Sequence, residues 1–186
     1  VTDRGTYPAQ MVVLSVGVRP NTAFLKDSGV KMLPNGAVLV DGQMRTSVPH
    51  IYAAGDCATI TNKITGRQVY LPLGTNANKQ GKVLGEVLVG LDSRLPGVLG
   101  TSMCRIVDLE VARTGLNERE AEEAGIPVRV VKTTAHTRPP YYPGGCELFI
   151  KLFYHAETKA LLGAQLAGQE GAAARIELCA LAIDAG

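Results

Sequence analysis

The chain has no tryptophan, and its aromatic content is limited to 6 Tyr and 3 Phe in 186 residues. A core must therefore be assembled from Val, Leu, Ala and Ile rather than around large rings. There is no Cys-x-x-Cys: Cys57, Cys104, Cys146 and Cys179 are scattered, and His50, His136 and His155 complete no metal-type spacing. No metal site is expected, and the thiols read as reduced and partly buried, as in a cytoplasmic protein. No Gly-x-Gly-x-x-Gly occurs, so the chain carries no complete dinucleotide fingerprint of its own. Neither sign of charge dominates, with 19 Lys+Arg against 17 Asp+Glu. Nucleic-acid binding needs a clustered basic excess, which this composition lacks. No apolar run approaches the ~20 residues of a membrane-spanning helix, and no basic-then-apolar leader opens the sequence. The expected protein has no nucleic-acid or membrane partner.

What is present is a 46% apolar chain with 21 Gly and 10 Pro, enough for one large or two small domains with many tight turns. Val1–Gln10 is a polar lead into Met11–Val16, a continuous apolar run of the kind buried on both faces in a parallel sheet. A short helical turn follows within Thr22–Ser28, then an edge strand or hairpin arm at Ala37–Val40 and a short buried strand at Ile51–Ala54. Asn76–Gly90 predicts an amphipathic helix with Ala77, Leu84, Leu88 and Leu91 on one face and Asn76 or Asn78 as N-cap. Leu91–Gly100, with two Gly and one Pro, is the best linker.

Beyond the linker the pattern changes. Ser102–Val107 predicts a strand, and Asn117-Glu118-Arg119-Glu120 has capping-box spacing for a helix ending at Gly125. Strands follow at Val128–Thr134, Glu147–Tyr154 and Ala160–Leu166. A final helix over Gln169–Gly186 places Ala172, Ile176, Cys179, Ala180 and Ile183 on one face. This order predicts an α+β module, an antiparallel sheet with helices on one face. The two ends together predict a piece of a longer protein.

The segment richest in chemistry is Thr46-Ser47-Val48-Pro49-His50-Ile51-Tyr52-Ala53-Ala54-Gly55-Asp56, a short strand whose carboxyl end presents an acid directly after a glycine. Ligands of doubly wound folds sit at the carboxyl ends of strands, and glycine lets a bulky group approach the backbone. Gly-Asp alone is an ordinary turn; the full segment resembles the second flavin-binding motif of the pyridine nucleotide–disulfide oxidoreductases. Two neighbours agree in order. Val12–Asn21 resembles the strand plus Gly-x-x-Pro-Asn that leads from the NAD(P) domain back to the FAD domain, and Leu71–Gly81 resembles the segment that reaches the flavin ring before a helix.

The resemblance implies an α/β FAD-domain remnant followed by an α+β dimerisation domain. Residues 1–21 would end the NAD(P)-binding domain, 22–93 close the FAD-binding domain, 94–100 link, and 101–186 form a truncated dimerisation domain. It implies FAD and NAD(P)H as cofactors, the latter bound mainly outside this chain. Asp56 would bind the ribityl chain beside Gly55, and Gly74, Thr75, Asn76 and Ala77 would face the flavin. The family's redox-active Cys would lie outside residues 1–186, with Cys57 a packing residue.

Thr137–Gly145, containing Tyr141-Tyr142, followed by Leu148–Leu152 and Leu161–Gln165, resembles the coenzyme A-disulfide reductase and NADH oxidase/peroxidase branch. There a Tyr of this loop enters the partner subunit's active site, which implies that Tyr141 or Tyr142 donates a proton to a leaving thiolate. The alternative is that the two rings only pack at a dimer seam. Gly168–Gly171 with Arg175 reads either as a contact for a phosphate of CoA or as an ordinary helix start. The implied whole is a homodimer joined through 101–186 that reduces CoA disulfide. The runners-up are an NADH oxidase or peroxidase acting on oxygen or peroxide, and a non-catalytic dimerisation module.

Overall fold

The computed structural model describes residues 2–186; Val1, the first residue of the expected polar lead, lies outside the described residues. The run Met11–Val16 does not form the strand its composition predicts. Its backbone has no regular structure, and Met11, Val12, Val13, Leu14 and Val16 are 77–90% exposed. A strand buried on both faces needs neighbours on each side, and no described residue pairs with this segment. A short 3-10 turn at Ala23–Leu25 stands where the helical turn is expected.

Residues 30–62 form a small irregular core in which Val30, Val38, Val40, Met44 and Ala58 pack against Val83. Ala37–Val40 is buried but makes only isolated bridges, Met32 to Val38 and Val38 to Ala58. Ile51–Ala54 is likewise reduced to one bridge, Arg45 to Tyr52, and Ile51 is an exposed residue rather than a buried strand member. The Pro49-His50 turn, with His50 at φ +66°, reverses the chain too soon for a ladder to extend. Two short strands unseen in the sequence, β1 (Ile60–Thr61) and β2 (Gln68–Val69), pair antiparallel.

Helix α1 spans Gly74–Leu88, and its N-cap is Leu73 with no side-chain cap, so neither Asn76 nor Asn78 caps it. Its buried residues are Asn76, Gln80 and Val83, while Leu88 and Leu91 of the expected apolar stripe are exposed. The inward face is polar in the first half of the helix, where it meets irregular backbone with unpaired groups: Asn76 Nδ2 donates to Leu71 O at 3.2 Å, and Gln80 serves two further groups described below. In the second half it is apolar, and Val83, Leu84 and Val87 pack on the core.

The second unit comprises β3 (Ser102–Ile106), β4 (Leu109–Gly115), α2 (Glu118–Ala124), β5 (Val128–His136), β6 (Glu147–His155), β7 (Leu161–Gly168) and α3 (Ala172–Ala185). Its five strands form one antiparallel sheet in the order β3-β4-β7-β6-β5. Strand β4 was not anticipated. The capping box is present: Asn117 Oδ1 accepts from Glu120 N, Glu120 Oε2 accepts from Asn117 N, and Gly125 closes α2 at φ +73°. Helix α3 lies on one sheet face, where Ala172, Ile176 and Cys179 pack on Ala112, Leu148, Ala164 and Leu166. Helix α2 sits at one end of the sheet, its Glu118 and Glu120 paired with Lys151 and Arg113, which project from the face opposite α3. Two clasps join the units: Lys63 pairs with Asp184 at the end of α3, and Arg67 Nη1 donates to Glu123 O at 2.7 Å.

Candidate functional site

Gly55 and Asp56 lie in a tight turn after the Arg45–Tyr52 bridge. Gly55 adopts φ +85°, a left-handed conformation that a side chain disfavours. The turn is fastened to α1 by a residue whose role was not evident in the sequence. The Gln80 side chain, 2% exposed, accepts from Gly55 N at 2.8 Å and donates to Thr59 O at 2.8 Å. A Cβ placed on Gly55 would stand 3.9 Å from Ala77 Cβ. Sequence-distant Gly55 and Asp56 are thus held at the first turns of α1, beside the residues expected to share a ligand with them.

Asp56 is exposed and has no ion-pair partner among the described residues. At the nearby Tyr70, burial first and then the influence of Asp56 push the phenol up. Gly74 and Thr75 are exposed at the start of α1, and their amides find no acceptor among the described residues. A Cβ on Gly74 would meet nothing within 4 Å. Asn76 differs, because its side chain is turned inward to Leu71 O and its amide donates to Leu73 O. An unpaired carboxylate, a close-approach glycine and free helix-start amides form a donor and acceptor set suited to a polyhydroxyl chain and an electron-rich ring. FAD fits these residues.

Tyr141 and Tyr142 lie far along the sequence, in the loop between β5 and β6, 86% and 57% exposed. Arg138 sits 5.8 Å from the Tyr142 ring centre. Arg175 braces the start of α3: its guanidinium donates to Gly171 O at 3.2 Å and to Thr137 O at 2.7 Å. Cys57 Sγ points to Ala54 O at 3.4 Å, and burial pushes the Cys179 thiol up. Among the described residues no group of three or more His, Cys, Asp or Glu is placed to hold a metal ion, and no helix is long and apolar enough to cross a membrane. A concavity of about 640 Å³ on the sheet face opposite α3 is lined by Val111, Phe149 and Gln165 among others and contains none of these site residues.

A clasped acid-bearing turn at an open helix start, followed by a five-stranded antiparallel module, defines a flavin-type nucleotide-binding remnant with a dimerisation-type domain. The family models agree: pyridine nucleotide-disulphide oxidoreductase matches residues 1–81, and the dimerisation domain of the same family matches residues 101–186. The chain belongs to the pyridine nucleotide-disulphide oxidoreductase family. It is 43% identical over 186 residues to an NAD(P)H sulfur oxidoreductase (CoA-dependent) of Pyrococcus furiosus, covering 100% of this chain and 42% of that protein. It is 39% identical to an NADH oxidase of Methanocaldococcus jannaschii, covering 97% of this chain and 40% of the relative. A solved NAD-dependent persulfide reductase from A. fulgidus superposes with a TM-score of 0.91 at 38% identity, covering 97% of this chain and 33% of that one. The chain therefore spans about two fifths of the length of these curated relatives.

Proposed function

We propose that this chain is the ribityl-binding and dimer-forming portion of a homodimeric FAD-dependent NAD(P)H oxidoreductase that reduces CoA disulfide. The observation that carries the reading is the Asp56 turn clasped by Gln80 to the open start of α1. Bound FAD supplies hydride acceptance from NAD(P)H and onward electron transfer. The chain's own residues do the rest. Asp56 accepts hydrogen bonds from the ribityl hydroxyls, Gly55 leaves room for the cofactor against the backbone, and the Gly74 and Thr75 amides face the flavin's electron-rich end. Ala77 fills the gap between turn and helix, and Asn76 fixes the preceding segment. We place residues 1–21 at the end of an NAD(P)-binding domain, 22–93 in the FAD-binding domain, 94–100 as linker and 101–186 as dimerisation domain. The redox cysteine and the dinucleotide fingerprints belong to segments outside residues 1–186, and this chain alone does not turn over.

In the net reaction, one hydride from NAD(P)H and one proton from solvent convert one CoA disulfide into two thiols, leaving NAD(P)⁺. Tyr141 or Tyr142 delivers a proton to the departing thiolate. Replacing each by Phe is expected to slow CoA-disulfide turnover by about 10²-fold for one of the two, while flavin reduction by NADH in stopped flow is unchanged. Full turnover in both variants would refute the assignment.

The homodimer is supported by α3, whose Leu178 and Leu181 are 67% and 66% exposed on the side away from its own sheet. Leu181→Arg in the full protein is expected to weaken the dimer by roughly the 1.5–3 kcal/mol of a buried leucine per subunit, which sedimentation would show as a monomer at micromolar concentration. The second reading is an NADH oxidase or peroxidase, favoured by the name of the Methanocaldococcus relative. NADH consumption by the full protein with CoA disulfide, peroxide or air alone separates the two; oxidation in air without disulfide stimulation would overturn the favoured one.

A further inference from the structure

We propose that Arg138 is the positioning residue that holds the Tyr141–Tyr142 loop in its working shape; this rests on the reading of that loop given above. The two rings are exposed and gain little order from packing, so something else must hold the segment still. Arg138 is the post around which the loop winds. Its Nη1 donates to Pro143 O at 2.9 Å, on the far side of the tyrosines, and its Nη2 donates to Glu170 Oε1 at 3.0 Å, at the turn before α3. Its guanidinium lies 5.8 Å from the Tyr142 ring centre. A Cβ at Gly144 would come within 3.2 Å of Arg138 Nη1, and one at Gly145 within 3.4 Å of Arg138 Cβ, so the Gly144-Gly145 pair lets the chain close over the side chain.

The loop base is anchored separately. Thr137 N donates to Cys146 O at 2.9 Å, Cys146 N to Thr137 Oγ1 at 3.0 Å, and Arg175 of α3 to Thr137 O at 2.7 Å. Within the loop, Tyr142 N donates to Pro139 O at 2.9 Å. Loss of Arg138 therefore frees the tip and leaves the stem. Lysine cannot substitute, because a point charge does not span two acceptors while lying along a ring.

The test uses the full protein, with Arg138→Leu, Arg138→Lys and Glu170→Gln each made alone and combined with Tyr141→Phe and with Tyr142→Phe. Arg138→Leu is expected to lower kcat for CoA disulfide by roughly ten- to a hundredfold, the scale of a misplaced reacting group, with flavin reduction by NADH unchanged. Arg138→Lys should recover little and Glu170→Gln should lose less. The loss should be non-additive with whichever of Tyr141→Phe and Tyr142→Phe itself slows turnover, which a merely structural role would not produce. Turnover within twofold of wild type for Arg138→Leu, additive losses, or equal slowing of flavin reduction would overturn the proposal. If the wild type ignores CoA disulfide and uses dioxygen, the substrate reading fails, and the same comparison run with dioxygen still decides the role of Arg138.

Discussion

Asp56→Ala is expected to strip the full protein of most of its FAD, so that it purifies with weak visible flavin bands and regains them only at high added cofactor. The carboxylate is exposed, unpaired and presented by a turn that Gln80 fastens at Gly55. Hydrogen bonds to a charged group are worth about 1.5–3 kcal/mol, which corresponds to a ten- to more than hundredfold rise in the FAD dissociation constant. Asp56→Asn retains the shape and one acceptor oxygen and should fall between. Titration of apoprotein with FAD, followed by quenching of flavin fluorescence, checks both. Wild-type affinity in Asp56→Ala would remove this residue from the site, and the family membership would stand without it.

The largest stability effect is expected at Gly163→Ala. The β4–β7 ladder ends where Gly115 faces Gly163, and the strands approach there more closely than a side chain allows. A Cβ on Gly163 would lie 1.9 Å from Leu116 O, and one on Gly115 would lie 2.1 Å from Leu162 O. Both obstacles are backbone, so no rotamer relieves them. The Leu116 N to Leu162 O bond of 2.8 Å must break for the chain to make room. We expect a loss above about 4 kcal/mol, read as a large fall in melting temperature or as failure to accumulate folded protein. Gly85→Ala in α1, where a Cβ would meet nothing within 4 Å, is the matching control. It should gain up to about 1 kcal/mol from helix propensity. A small effect at Gly163 would mean that the two strands part easily at this end.

How much of this was legible beforehand varied with how local the deciding forces are. The Asn117 capping box and Gly125 stop are settled within nine residues, and they stand as the sequence predicts. The strands β5, β6 and β7 and the buried stripe of α3 also declared themselves, because alternation and helical spacing are properties of one segment. Met11–Val16 failed for the opposite reason: strand propensity without a neighbouring strand does not make a sheet. The inward face of α1 was misjudged in part: Leu84 packs on the core as its spacing predicts, but Asn76 and Gln80 are buried by the irregular backbone they serve, a demand invisible in the helix's own pattern. Strand β4 was hidden by Glu110 and Arg113, whose charges are answered from distant elements: Glu110 accepts from Ala173 N at the start of α3, and Arg113 pairs with Glu120. For the candidate site, the order of motifs pointed to Asp56 and the helix start, which the fold brings side by side. Gln80 and Arg138 emerged only from three-dimensional contacts, each joining segments separated in sequence.

The exposed run from Met11 to Val18 has a practical consequence for anyone handling this polypeptide. Apolar, rich in β-branched residues, free of proline until Pro20 and without a charge until Arg19, it has the make-up of a self-associating segment. Expressed on its own, the chain would offer that ribbon to every other copy in solution. Colloidal behaviour, rather than folding of the sheet or of α1, would then limit its yield. A solubilising fusion or lysine gatekeepers at Val13 and Val16 would be the first remedy to apply.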